Sequence, residues 1–357
     1  MLPLDKPQLG RELPSIGARR VCENVLEAVG DTPLVRLRRY LPPATFHLYA
    51  KLESLNPGGS IKDRPAKRIL EHALSAGMLC PGGVVIESSS GNMGVGLAQV
   101  CRYYGLRFIC VVDPKTTEAN LRVLRAYGAE IDLISEPDAE TGEYLQARIA
   151  RVQELLRSIP GAFWPNQYAN RKNSASHFHT TMHEVTTALG GKVDFVFVPT
   201  STCGTLRGCG EYVRDQGMAT RIVAVDAFGS MIFSDVRAPR MVPGLGAGLR
   251  PQLFEPSLAH EYVHVTDLDC VVGCRLLMER EAIFAGGSSG GVLSAIERMA
   301  ERIPANAVVV ALLPDRGERY LDTVFSDDWV LSHFGEVVPF NGGSASAWLT
   351  SGTKKLA

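Results

Sequence analysis

The chain has 357 residues, 45% of them hydrophobic and 21% charged, with a net charge of −1: an ordinary globular composition on a chain long enough for two domains. Basic and acidic residues are interspersed, which argues against a polyanion-binding surface and against nucleic acid as a partner. No apolar run approaches the roughly 20 residues of a membrane span, and Met1–Arg20 has no apolar leader segment, so a cytoplasmic protein without a membrane partner is expected. Eight cysteines without C-x-x-C pairing fit reduced thiols better than disulfides or a zinc site.

In chain order, residues 1–22 read as an irregular arm. Thr32–Leu37 and Phe46–Leu52 read as strands. The stretch S-L-N-P-G-G-S-I-K-D-R at Ser54–Arg64 follows, a tight glycine turn running into a helix through Ala66–Leu74, with Ser60 as its expected N-cap. Val84–Glu87 reads as a buried strand, Ser88–Gly94 as a loop opening a helix through Tyr104, and Phe108–Val112 as a further buried strand. Glu118–Tyr127 is then helical, Glu130–Ile134 a strand, and Tyr144–Ser158 a helix carrying Arg148 and Arg151. After Phe163–Asn166 the scheme restarts. Helix Ser174–Leu189 leads to strand Val193–Val198, the turn Thr200–Thr205, helix Leu206–Gln216 and strand Arg221–Val225. A glycine-rich segment at Pro243–Gly248 is long enough to be a functional loop. Helix Val271–Glu281, the loop Gly286–Gly291, another helix and the strand Ala307–Leu313 complete the pattern, and residues 341–357, small and polar, are expected to be disordered.

Alternating strands and helices predict an α/β fold with mostly parallel sheets covered on both faces. The expected division is a larger domain of residues 1–54 and 166–357 and a smaller one of residues 55–165.

Lys62 is the candidate for chemistry. It lies at the junction of a turn and a helix N-terminus, where the helix dipole disfavours its charged form and leaves a more nucleophilic amine. Taken alone, the stretch equally describes a solvated lysine. Three serine, threonine and glycine loops each open a helix, where backbone amides form anion sites; each alone is also an ordinary turn. Ser201–Thr205 is the best phosphate cradle. With an amine for an aldehyde and polar groups for a ring, the set meets the needs of pyridoxal phosphate.

At this point the chain resembles the cysteine synthase group of pyridoxal-phosphate enzymes, which includes cystathionine β-synthase. The resemblance runs from about Asn24 to Phe334 and rests on N-P-G-G-S-I-K-D-R at Asn56–Arg64, S-S-G-N-M-G at Ser89–Gly94, N-Q-Y-A-N at Asn166–Asn170 and G-G-S-S-G at Gly286–Gly290. It implies the type II fold of such enzymes, with the cofactor in an interdomain cleft. It further implies that Lys62 holds the cofactor as an imine, Asn92 bonds the ring hydroxyl, Ser201, Thr202, Cys203, Gly204 and Thr205 surround the phosphate, and Ser288 faces the ring nitrogen. Ser89, Ser90 and Gln167 fall at the substrate's α-carboxylate, and Met93 also falls in the substrate site.

The loop S-T-C-G-T, Met93 and Tyr168 depart from the plain cysteine synthase pattern and look like the diaminopropionate and siderophore branch. Its members take O-phospho-L-serine, expel phosphate, and add the amine of L-glutamate to form N-(2-amino-2-carboxyethyl)-L-glutamate. Ser201, Tyr168 and Arg148 then supply extra donors for anions, with Lys62 and Tyr168 the catalytic candidates; Arg148 equally reads as a solvated helix arginine. The resemblance also implies a homodimer. Competing readings are a cysteine synthase or cystathionine β-synthase using a sulfur nucleophile, a serine or threonine dehydratase, and a cofactor-bound protein without turnover. His177, His179 and His183 offer no third or fourth metal ligand and are expected to cap or face solvent. Cys203 has no histidine partner in a recognisable catalytic pattern, which favours a backbone role over a nucleophilic one.

Overall fold

Two runs of alternating strand and helix build two separate parallel sheets. The computed structural model describes residues 21–335 except 42, 43 and 141; the arm expected over residues 1–22, apart from its last two positions, and the tail expected over 341–357 lie outside the described residues.

The chain enters through β1 (Leu34–Arg36) and β2 (His47–Leu52), then passes the lysine turn into α1 (Asp63–Ser75). Next come β3 (Val84–Ser88), α2 (Asn92–Tyr104), β4 (Arg107–Val112), α3 (Glu118–Ala126), β5 (Glu130–Leu133) and α4 (Tyr144–Ser158). It returns through α5 (Arg171–Ser176), a π-helical turn at His177–Met182 and α6 (His183–Ala188) to β6 (Phe195–Pro199), α7 (Gly204–Asp215), β7 (Arg221–Ala227) and β8 (Glu261–Val265). The last elements are α8 (Asp267–Glu281), α9 (Gly287–Met299), β9 (Val308–Leu313) and α10 (Asp327–Phe334).

The larger sheet has the order β1-β2-β9-β6-β7-β8, and the smaller is β3-β4-β5. Every pairing is parallel except β1 with β2, which gives the mostly parallel α/β architecture the alternation implies. The central strands β4, β6 and β9 are buried almost throughout, because helices cover both faces of a parallel sheet. One core joins β2, β6, β7 and β9 to α8 and α9, and another joins α1 and α2 to β3 and β4. The lysine turn is tied to the larger sheet beyond β9: Ile61 N–H donates to the Pro314 carbonyl at 2.8 Å, and Ser60 bridges to Asp315.

Several sequence expectations need correction. Ser60 is not the cap of α1, whose N-cap position is Lys62 without a side-chain cap; the Ser60 hydroxyl accepts from Lys62 N–H at 3.2 Å. The single helix expected over Ser174–Leu189 is interrupted by the π-helical turn, a common feature of functional sites. There α7 presses close: a Cβ on Gly208 would stand 2.3 Å from the Ser174 carbonyl and 2.7 Å from His177 Cβ. Gly287–Gly291, read as a loop, are the opening of α9. Strand β8, whose polar residues obscure the strand pattern, and helix α10 were not expected. Helix α8 begins earlier than expected because Thr266 and Asp269 form a reciprocal capping box.

The glycines in α9 follow from how tightly it crosses α8. A Cβ on Gly290 would lie 2.0 Å from the Cys270 carbonyl oxygen and 2.6 Å from Cys274 N, backbone atoms that cannot swing aside. Gly290→Ala is expected to lower the unfolding free energy by about 2–3 kcal/mol through overpacking, measurable by urea denaturation.

Candidate active site

A cavity of about 590 Å³ opens between the two sheets, at the carboxyl ends of their strands, where parallel sheets bind ligands. Lys62 lies on its wall. So do Ser89, Ser90, Asn92 and Met93 from the β3–α2 loop and its helix, Arg148 from α4, and Gln167 and Tyr168. Ser201, Thr202, Cys203 and Thr205 come from the β6–α7 loop and Ser288 from the first turn of α9. Residues scattered over some 230 positions thus meet because three strand-to-helix turns end at one cleft.

Gly204 is the predicted site residue that does not line the cavity. Its N–H faces Thr202 Oγ1 at 3.4 Å, and a Cβ there would lie 2.1 Å from Asn173 Oδ1, so it supplies space for Asn173. Met93 touches the cavity but is buried in the α1–α2 core, which makes it largely a packing residue. The Ser89 hydroxyl accepts from Gly94 N–H at 2.8 Å and steadies the start of α2. Gln167 donates from Nε2 to the Ser88 carbonyl at 3.1 Å.

Burial holds the Lys62 amine down to about 8, against an upward pull from Cys203 and Asp315. Desolvation therefore favours the neutral amine, and the helix dipole is not needed as the leading cause. Its Nζ makes no hydrogen bond or ion pair among the described residues, consistent with an amine kept for a partner.

The sequence reading passed over acidic groups here: Asp113 lines the cavity, and two buried acids, Asp315 and Glu87, stand just behind its lining residues Asn92 and Ser88. Asp315 Oδ2 accepts from Asn92 Nδ2 at 2.7 Å and from Tyr320 Oη at 2.5 Å. Burial raises its pKa while those two bonds and Arg319 oppose the rise. Asn92 Oδ1 is left buried without a partner. Glu87, at the end of β3, is pushed up to about 7 by burial, opposed by its bonds to Trp164 and to the Ser88 and Gln167 amides. Asp113, at the end of β4, lies 3.2 Å from Arg148 Nε, so Arg148 is a buried, ion-paired arginine and not a solvated one. The signal for these residues was a charge at the carboxyl end of an apolar strand.

Cys203 occupies the left-handed region, with φ 62° and ψ 6°, at the N-cap of α7. That helix start carries no side-chain cap and faces the cavity, an anion cradle of dipole and amides. Burial pushes the Cys203 thiol up to about 12, with Asp226 adding and Lys62 opposing, which disfavours the thiolate a nucleophile needs. Its side chain packs against Ile232, Ala247 and Leu253. Behind the loop His177 is fully buried, with Nε2 3.3 Å from Thr205 Oγ1 and Nδ1 3.0 Å from Thr181 Oγ1. It therefore neither caps nor faces solvent, and burial lowers its pKa well below the usual imidazole range, with Lys62 and Arg64 adding to the effect.

Behind Lys62, the buried Arg64 donates to both Glu53 carboxylate oxygens at 2.7 Å and to the Glu184 oxygens at 2.5 and 2.7 Å. Lys51 Nζ joins Glu184 at 2.6 Å. Burial raises the pKa of both carboxylates, but bonding and charge from Arg64, aided by Lys51, outweigh it and leave both lowered. This network fixes the start of α1 to α6 and the end of β2.

Asn92 Oδ1 offers a buried acceptor, α7 an uncapped N-terminus, Lys62 an amine near neutrality and Ser288 a hydroxyl. Together these fit pyridoxal phosphate, with its aldehyde, ring hydroxyl, ring nitrogen and phosphate.

Comparison with known proteins agrees with this fit. The family model described as "Pyridoxal-phosphate dependent enzyme" matches residues 25–315. A protein of Ralstonia nicotianae named N-(2-amino-2-carboxyethyl)-L-glutamate synthase is 47% identical over 310 residues, 87% of this chain and 91% of that protein. The crystal structure of an O-ureido-L-serine synthase superposes with a TM-score of 0.81 at 31% identity, covering 93% of this chain and all of the other. An O-acetylserine dependent cystathionine β-synthase from Helicobacter pylori gives 0.79 at 28% identity, covering 85% of this chain and 99% of the other.

Proposed function

The chain belongs to the pyridoxal-phosphate dependent enzyme family, and we propose that it performs a β-replacement. Phosphate leaves Cβ of O-phospho-L-serine and the amine of L-glutamate takes its place, giving N-(2-amino-2-carboxyethyl)-L-glutamate and inorganic phosphate. The observation that carries this reading is that Tyr168, Ser201 and Arg148, donors suited to an anionic leaving group, share one cavity with Lys62. The name of the 47% identical relative supports the same reaction.

Bound pyridoxal phosphate supplies an electron-accepting ring that acidifies the substrate α-proton. In this proposal Thr202, Cys203 and Thr205 hold its phosphate through the start of α7, Asn92 meets the ring hydroxyl, and Lys62 carries the aldehyde carbon. Ser288 would face the ring nitrogen with a neutral hydroxyl, which does not hold that nitrogen protonated as a carboxylate would, and so leaves a milder electron sink suited to a good leaving group. Lys62 would also be the base that takes the proton from the substrate Cα and later returns it. Ser90, the Gln167 side chain and the N-terminus of α2 orient the substrate carboxylate. Tyr168 keeps its proton, because desolvation raises its pKa and Glu87 adds to the rise, against Arg148 and Arg240. It can therefore donate a hydrogen bond to the departing phosphate.

Purified enzyme incubated with O-phospho-L-serine and either L-glutamate or sulfide tests the assignment by mass spectrometry of the product. The glutamate adduct is expected. Cysteine alone points to a cysteine synthase, and pyruvate without a second substrate to a dehydratase. A second expectation concerns the apoprotein: cofactor uptake, followed in the visible range, accelerates about tenfold per pH unit below a lysine pKa of about 8 and levels off above it, since only the neutral amine attacks. We also propose a cytoplasmic homodimer that serves 2,3-diaminopropionate and siderophore synthesis. Sedimentation, cell fractionation and metabolite profiling of a deletion strain test those three points.

A further inference from the structure

The reaction proposed above brings two anionic substrates to one cleft, and the second needs a cation of its own. Lys62 is taken up by cofactor and proton transfer, and Arg148 is paired with Asp113 at 3.2 Å. Arg240, on the long segment between β7 and β8, also lines the cavity. Its Nη1 donates to the Leu245 carbonyl at 3.3 Å, and it has no ion pair with a carboxylate among the described residues. Glu143, at the start of α4, lies 3.5 Å from Arg237 instead.

The glycine-rich loop gives Arg240 its place. Gly246 has a φ of +74°, and a Cβ there would stand 2.8 Å from Arg240 Nη1 and 2.9 Å from Ser230 Cβ. The positive φ favours glycine, and the missing Cβ lets the guanidinium lie across the loop. Arg240, Arg148 and Tyr168 line the same cavity, so Arg240 shares the cleft with the proposed leaving-group donors.

We propose that Arg240 is a specificity-determining residue that binds a carboxylate of the incoming dicarboxylic amino acid, L-glutamate in the reaction on which this inference rests. A guanidinium without a carboxylate partner on the cavity wall recognises a planar carboxylate through two parallel hydrogen bonds. A sulfur nucleophile without a carboxylate has no use for it.

The test compares steady-state kinetics of the holoenzyme with Arg240→Met and Lys115→Met. Besides Lys62, Lys115 is a further cavity lysine without a carboxylate ion pair among the described residues; it is exposed and lies against the Tyr144 ring at 5.4 Å. Arg240→Met is expected to raise KM for L-glutamate by about tenfold or more, the effect of losing a charge-assisted bond. KM for O-phospho-L-serine, and the spectral change on mixing with O-phospho-L-serine alone, should stay within about twofold, and Lys115→Met should change the glutamate KM by less than about threefold. The assignment is overturned by an unchanged glutamate KM in Arg240→Met, by an equal rise for both substrates, or by an equal rise in Lys115→Met, which would mean general charge attraction. Wild-type enzyme that uses sulfide but not glutamate overturns the proposed reaction itself and this assignment with it. Wild-type turnover of glutamate with an indifferent Arg240→Met overturns the Arg240 assignment alone.

Discussion

Lys62→Ala is expected to fold, to bind pyridoxal phosphate without a borohydride-trappable link, and to lose turnover by about 10³–10⁴-fold, the scale of removing a nucleophile that is also the general base. Folding should survive because Lys62 Nζ has no hydrogen bond or ion pair among the described residues, so truncation breaks no network. The sign of the pH effect can be worked out. Burial lowers the folded-state pKa from 10.5 to about 8, so between those values the unfolded chain binds more protons and the stability of the wild-type apoprotein rises with pH. Below about 8 the full penalty of a buried charge remains. In Lys62→Ala this rise should vanish, which urea midpoints of both apoproteins between pH 7 and pH 10.5 would reveal. A variant that keeps both the trappable chromophore and the turnover would remove Lys62 from the chemistry.

Arg64→Met is expected to be the most destabilising single change in the cleft, by about 3–5 kcal/mol, because it leaves two buried carboxylates without their main counter-charge. Glu53 is fully buried, and Glu184 keeps only Lys51. Adding Glu53→Gln to Arg64→Met should recover part of the loss, since it removes an uncompensated charge. Both carboxylates have folded-state pKa values below the ordinary 4.5. Their contribution is thus fully present above that value and lost as pH falls through the lowered values. This acid sensitivity should diminish in Arg64→Met. A loss under about 1 kcal/mol in chemical denaturation would mean that the network is not the anchor described.

The strand-to-helix turns were legible because their chemistry is local: a buried apolar run followed by small hydroxyl and glycine residues announces a sheet edge open to a ligand. Lys62 and Asn92 could be named on that basis together with the resemblance, and Ser288, which follows helix α8, on the resemblance alone. What escaped was set by tertiary contact. Nothing near Gly287–Gly291 says that these glycines continue a helix; the reason is the backbone of α8, brought within contact distance by the fold. His177 looked like a surface residue because its neighbours His179 and His183 are polar, yet the π-helical turn sets it under the β6–α7 loop. Glu87, Asp113 and Asp315 show the converse case. Each sits where strand polarity could have placed it, but its partners Trp164, Arg148 and Tyr320 lie up to 77 positions away.

The αL cysteine at position 203 has a mechanical outcome. A non-glycine residue in that conformation is strained, by about 1 kcal/mol or more, and glycine would relieve it. The thiol side chain, however, shares a buried cluster with Ile232, Ala247 and Leu253, so the β6–α7 loop is riveted to the segment that carries Arg240. On the proposed reading, a coenzyme held at the start of α7 would bear on that segment, and the second substrate would meet a rim already set in place.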